Sequence, residues 1–475
     1  MNTPSPHKRG LSAALILLLY ATSLLFGSLS SGSPADSPIP LLQNCQRYDL
    51  LIIAPSYFKK ELQPLVHHKD TVGISTICVT LGEIYDRMYW HGRDNPEKIK
   101  YFIKTAREEW EISYVFLVGG RIGQSSNWHC PVRYVNMENT WEPHFISDLY
   151  YADIYNSDGT FSTWDTDNDG LYGEWYHLQH AEDTNIDLHP DVALGRLPCR
   201  SGLEVRIMVN KIIDYETNTY GKSWFYDMLV FAGDTYPGSQ NPLWAGNEGE
   251  LYGNCAVENM TGFHASTYYT SDGSLSRMSD VTRAFSKGAG FVYFVGHGSP
   301  RVWGNNKPDD EGFVEGLSPR NIPLLRNAGK YPVCVLSGCH DLQFDVTLLN
   351  IFDSLARRRG EATYECLGWR LTRKIAGGSI ATLGPTALGF TKEDKDSFSG
   401  GINEIEVNFF TQYGQHHYDM LGETWAAAIS WYVDTYPVQW DTSSIDDSWI
   451  DAQVVQSLIL FGDPSLKIGG YPSSQ

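Results

Sequence analysis

Two apolar, β-branched runs in this 475-residue chain end in residues able to do covalent chemistry: FVYFV (Phe291–Val295) leads into Gly296-His297-Gly298-Ser299, and PVCVLS (Pro332–Ser337) leads into Gly338-Cys339. A free thiol is only about a few per cent thiolate at neutral pH, and an imidazole beside it both raises that share and returns the proton to a leaving amine. That pairing suits acyl transfer through a sulfur nucleophile. The backbone N–H groups of Gly298 and Cys339 are the natural donors for a developing oxyanion. Each residue alone reads as structural, Cys339 as a small hydrophobe and His297 as a strand-end histidine. Their joint placement at two strand ends is what points to catalysis. His340 adjoins the thiol, but strand parity turns it away, and Cys334, at an odd offset from Cys339, belongs to the core.

A second constellation is Asp165-Thr166-Asp167-Asn168-Asp169-Gly170, whose alternating carboxylates and turn-forming glycine suit Ca²⁺ as a structural ion. The loop is not a complete EF-hand: Tyr176 stands where the bidentate glutamate belongs, so Glu174 or Asp187 would have to complete the set. The bland alternative is a solvated acidic turn. No organic cofactor is indicated.

Bringing His297 and Cys339 together requires adjacent parallel strands, because side chains at the carboxyl ends of such strands converge on one crevice. The stretch from Ser299 to Lys330 is long enough for a crossover containing a helix. Strand and helix signals alternate throughout, which predicts α/β layering. Leu50–Ala54, Ile74–Thr80 and Tyr114–Val118 read as buried strands. A helix with Asn95 as N-cap carries the stripe Ile99, Phe102, Ile103, Ala106 and Trp110. A helix from Gly202 to Tyr215 follows the run Asp191–Pro198. The pattern restarts with strands at Met228–Ala232, His264–Thr270, Gly290–Val295, Tyr331–Leu336 and Ser379–Leu383, and with helices near Ser279–Ser286, Arg320–Arg326 and Asn403–Gln412.

The balance of 36 Lys+Arg against 56 Asp+Glu gives a net charge of -20, which argues against nucleic acid and anionic membranes as partners in the absence of a local basic patch, and none stands out. Basic residues His7 to Arg9, an apolar run Leu11–Phe26 and small residues Gly27–Ala35 form the layout of a secretory leader over residues 1–35. The run is shorter than the roughly 20 residues of a spanning helix, so membrane contact would come only through an uncleaved leader acting as an anchor. The expected location is secreted or cell-surface. The eight cysteines are scattered without a zinc-like spacing, and no pairing follows from them.

At the dyad the likeness becomes specific. YFVGHGSPRVWG around His297, VLSGCHDLQFD around Cys339, and the runs YDLLIIAPSYFKKELQPLVHHK, NPEKIKYFIKTAREEWEISYVFLVGG, DVALGRLPCRSGLEVRIMVNKIIDYE and FGDPSL occur in an order that resembles the gingipain family of cysteine peptidases, in the caspase-like clan. The resemblance implies a caspase-like α/β fold of two side-by-side subdomains with mostly parallel central sheets. They would comprise an N-terminal unit (46–223) holding the calcium loop and a catalytic unit (224–469). It implies an endopeptidase acting on proteins or peptides. It also implies an acidic residue orienting the histidine, best matched by Asp234, and an acidic substrate pocket, for which Glu248 and Glu250 are the nearest matches and which would favour Arg or Lys before the scissile bond. Leu342 departs from the glycine often found three residues after the cysteine. The competing expectation is a surface or binding protein that keeps the scaffold without turnover.

Overall fold

The computed structural model describes residues 47–137, 142–176, 180–236, 246–308, 312–392, 400–440 and 448–472. The leader at 1–35 and Cys45 lie outside them. From Gln46 onward the chain forms one compact unit.

Its centre is a ten-stranded sheet whose strands are β1 (Leu50–Ala54), β2 (Thr76–Thr80), β3 (Tyr114–Val118), β4 (Ala193–Leu197), β5 (Asp227–Ala232), β6 (His264–Tyr269), β7 (Phe291–Val295), β8 (Val333–Ser337), β9 (Ala381–Pro385) and β10 (Leu458–Phe461). The spatial order is β6-β5-β7-β8-β9-β10-β4-β3-β1-β2. Every pairing is parallel except that of β9 with β10. Strands β1, β3, β4, β7, β8 and β9 are buried along their whole length, as expected for a largely parallel sheet covered on both faces.

The expected two sheets are therefore one. The closing strand β10 pairs with β9 of the C-terminal half on one side and with β4 of the N-terminal half on the other. It escaped the sequence reading because the helix Ser448–Ser457 runs straight into it with no turn residue between.

The helix Asn95–Trp110 buries the stripe Ile99, Phe102, Ile103, Ala106 and Trp110, each large apolar side chain contributing about 1.5–3 kcal/mol. Its cap is Asp94, one residue before the expected Asn95: the Asp94 carboxylate accepts from the Glu97 N–H at 2.9 Å and binds Arg133 through both oxygens. Among the described residues no α-helix lies between β7 and β8, contrary to expectation. The chain instead forms an antiparallel ribbon, His297–Gly298 against Trp303–Asn306 against Phe313–Leu317, followed by a single 3₁₀ turn at Ile322–Leu324, where Pro323 limits helix growth.

The closing FGDPSL run ties the ends of the unit together. Lys69, fully buried on the helix Lys59–Thr71, lies 2.8 Å from Glu216 Oε1, from Asp463 Oδ2 and from the Ser465 carbonyl. These two carboxylates raise the lysine above its ordinary range against the opposing effect of burial.

Candidate active site

Strands β7 and β8 are neighbours in register, Val295 level with Ser337, and the Gly296 N–H extends the ladder to the Ser337 carbonyl at 3.0 Å. Two residues further along each strand stand His297 and Cys339. The two exits touch. A Cβ on Gly298 would lie 2.6 Å from the Gly338 carbonyl carbon, and one on Gly338 would lie 2.7 Å from Gly298 N. Both glycines thus serve close approach of one strand end to the other.

His297 begins a tight reversal in which the Ser299 N–H reaches the Val302 carbonyl at 2.9 Å. Its Nε2 lies 2.7 Å from the carbonyl of Thr235, just beyond β5. A carbonyl only accepts, so Nε2 carries the proton and Nδ1 is left with the basic lone pair. The sequence expectation assigned this orienting role to Asp234. The hydrogen bond instead goes to the backbone of the next residue, and Asp234 is buried beside it, bridged to Asn306. The Tyr236 ring meets the imidazole edge-on at 6.0 Å.

Cys339 is partly exposed, with Sγ 3.9 Å from the Gly389 carbonyl. Surrounding protein pushes the thiol up to about 11, aided by the charges of Glu142 and Asp341. His340 is buried, its Nδ1 3.3 Å from the Thr386 carbonyl and its Nε2 3.3 Å from Glu142; the strand ends at Ser337, so strand parity does not set its direction. It sits in left-handed backbone at φ 61°, and burial lowers it to about 4. Cys334 is core, as expected. Cys78, Cys130, Cys199, Cys255, Cys334, Cys339 and Cys366 are all free thiols. Leu342 is buried and seated against Gly368 and Gly384, either of which would clash with it if it bore a Cβ.

Beneath the touching glycines lies a group the sequence did not single out. The Asp341 carboxyl is fully buried, and a Cβ on Gly298 or Gly338 would come within 2.7 Å of its oxygens. Burial and the nearby Glu406 hold it well above the usual carboxylate range. Glu406, on the helix Ile402–Gly414, accepts from the Tyr293 hydroxyl at 3.1 Å and is raised by burial to about 8. The folded state therefore keeps a proton that the unfolded chain releases near 4.5, so this stability is full below about pH 4.5 and is lost as pH rises to about 8. In Glu406→Gln the melting temperature relative to wild type should climb between about pH 5 and pH 8 and then level off. A gap independent of pH would contradict this.

The two candidate pocket acids diverge. Glu250, in the first turn of the helix Glu248–Asn259, spends its carboxylate on the Ser271 N–H at 3.1 Å and hydroxyl at 2.6 Å. Glu248 lies behind Tyr236, accepting its N–H at 3.4 Å, with Oε1 buried and without a partner among the described residues; burial and Asp234 raise it to about 7. Only Glu248 is connected to the histidine side of the cleft.

In the acidic loop, carboxylate oxygens of Asp165, Asp167 and Asp183 lie within 4.8 Å of one another. Asp183 was missed because it arrives from beyond the β-ribbon residues Trp175–Tyr176 and His180–Ala181. The expected Asp169 and Glu174 do not join this trio. Asp169 caps the Leu171 N–H at 2.7 Å, and Glu174 is raised to about 7 by burial and its acidic neighbours. The donors suit a hard cation, although the guanidinium of Arg93, 2.5 Å from Asp165, already offsets part of the charge.

A largely parallel α/β sheet that sets an imidazole and a thiol at adjacent strand exits defines a caspase-like scaffold with a candidate cysteine nucleophile. The model of peptidase family C25 matches residues 43–469. The chain belongs to that family, the gingipain family, and is a cysteine-type peptidase acting on proteins or peptides. Among solved structures it is similar to the Arg-specific cysteine proteinase gingipain R (RGPB), at 16% identity over 90% of this chain and 80% of that one, with a TM-score of 0.61. A complex of the Porphyromonas gingivalis RgpB pro- and mature domains is similar at 16% identity over 88% of this chain and 79% of that one, with a TM-score of 0.58. No curated protein sequence matches the chain.

Proposed function

We propose that the chain is a secreted cysteine endopeptidase working through His297 and Cys339 and an acyl-enzyme. The observation that carries this reading is the register of β7 and β8, which sets the two residues level across touching backbones. His297 Nδ1 takes the Sγ proton as sulfur attacks the scissile carbonyl. The oxyanion draws on the Cys339 and Gly298 N–H groups. The imidazolium, held through Nε2 by Thr235, protonates the leaving amine as the C–N bond breaks. Water, deprotonated by the same Nδ1, then cleaves the thioester and the thiol is restored.

Glu248 is the acid proposed to receive a basic side chain before the scissile bond. Fluorogenic peptides with Arg, Lys, Asp or Asn there test this, and faster turnover of Asp or Asn would overturn it. Secretion is supported by the leader-like sequence of residues 1–35, and no helix among the described residues is long and apolar enough to cross a membrane. The primary experiment is casein or peptide cleavage with added thiol. No cleavage, together with no labelling by a thiol-directed acyl mimic, would favour a binding protein on this scaffold.

The Asp165, Asp167 and Asp183 cluster is proposed to hold a stabilising Ca²⁺. Adding calcium after EDTA treatment should raise the melting temperature by about 4–8 °C per kcal/mol in a small domain and by proportionately less in a unit this large. Melting unchanged by either treatment would rule the ion out.

A further inference from the structure

Between buried Thr347 and buried Ala356 the chain projects an apolar prong. Phe352 is 89% exposed, and Leu348, Leu349, Ile351 and Leu355 are each about half exposed (48–59%). The prong is held at its base, where the Thr347 hydroxyl and the Leu348 N–H bind Gln124 at 3.1 and 2.7 Å. Its own acid, Asp353, is exposed and caps the Leu355 and Ala356 N–H groups. Arg357 and Arg358 follow, exposed and without a carboxylate partner among the described residues, although the protein carries a net charge of -20. This is the local basic patch that the sequence reading did not find. Large apolar side chains grouped on a surface mark an interaction site.

The prong's position names its partner. It leaves the segment that carries Cys339 and returns at Gly360, where a Cβ would lie 3.1 Å from Ser299 Oγ, two residues after His297. Its C-terminal end thus packs beside the histidine-bearing strand exit, and its N-terminal end begins eight residues along the chain from Cys339. We propose that it is an exosite that grips an apolar, acidic stretch of a protein substrate outside the cleft, so that long substrates are cleaved better than short peptides with the same scissile residues. This deepens the peptidase reading and rests on it.

The test compares wild type with Ile351→Ser/Phe352→Ser and with Arg357→Gln/Arg358→Gln, on a short fluorogenic peptide and on the same peptide extended at either end by an apolar, acidic tail. Short-peptide turnover should stay within about twofold, while kcat/KM for a tailed peptide should fall about 10-fold in each double variant. If wild type cleaves neither substrate, the peptidase reading fails and the exosite with it. If wild type cleaves both and the variants match it on the tailed substrates, the exosite alone is overturned. Variants that instead lose binding to anionic vesicles, or lose self-association in sedimentation, with tailed-peptide cleavage intact, would assign the prong to a lipid surface or a second copy and likewise overturn it.

Discussion

Cys339→Ala should abolish peptide cleavage, lowering kcat on the order of 10⁴-fold or more, with KM and melting temperature little changed. Removing a covalent nucleophile forfeits the acyl-enzyme route, and what is left comes from binding and oxyanion stabilisation alone. The substitution is sterically mild: the hydrogen bond from Sγ to the Gly389 carbonyl is long, 3.9 Å, and the strand exit is set by backbone packing of Gly298 on Gly338. Steady-state kinetics with thermal melting check both halves. The other described cysteines offer no substitute, since Cys78, Cys130, Cys199, Cys334 and Cys366 are buried and Cys255 lies on the helix Glu248–Asn259.

His297→Ala should cost about 10³- to 10⁴-fold in kcat. With the thiol pushed up to about 11, roughly one molecule in 10⁴ carries a thiolate at neutral pH when no base assists. A base in line with Sγ removes that penalty at the moment of attack and then supplies the proton for the leaving amine. The variant should regain activity as pH rises toward 11, because hydroxide then does what the imidazole did. A pH–rate profile of the variant that stays flat at alkaline pH would mean that His297 is not the base. Asp234→Asn should be much milder than either, since Nε2–H donates to the Thr235 carbonyl rather than to the Asp234 carboxylate.

The parts of this site that depend on side-chain identity were legible in the sequence. Unbroken apolar runs gave β1, β3, β7 and β8 to within two residues, and a Gly-His and a Gly-Cys at two of their ends defined the crevice. The parts that act through backbone were not. Thr235 contributes a carbonyl, which every residue has, so no residue type marks it. What Gly298 and Gly338 approach, each other's backbone and the Asp341 carboxyl, depends on register. Asp341 and Glu406 meet from segments far apart in sequence, and only tertiary packing reveals that both are buried. The strand β10, which fuses the two halves into one sheet, was hidden by an uninterrupted passage from helix to strand. The apolar prong was not singled out, because exposure has no signature in residue type.

The central claim is that His297 and Cys339 act as one unit on an acyl group. Mass spectrometry after treatment with a peptidyl acyloxymethyl ketone tests it most directly. A single adduct on Cys339 should form in step with the loss of peptide cleavage, and His297→Ala should form it far more slowly. Full modification of Cys339 with cleavage intact, or loss of cleavage with the adduct on a different cysteine, would contradict it.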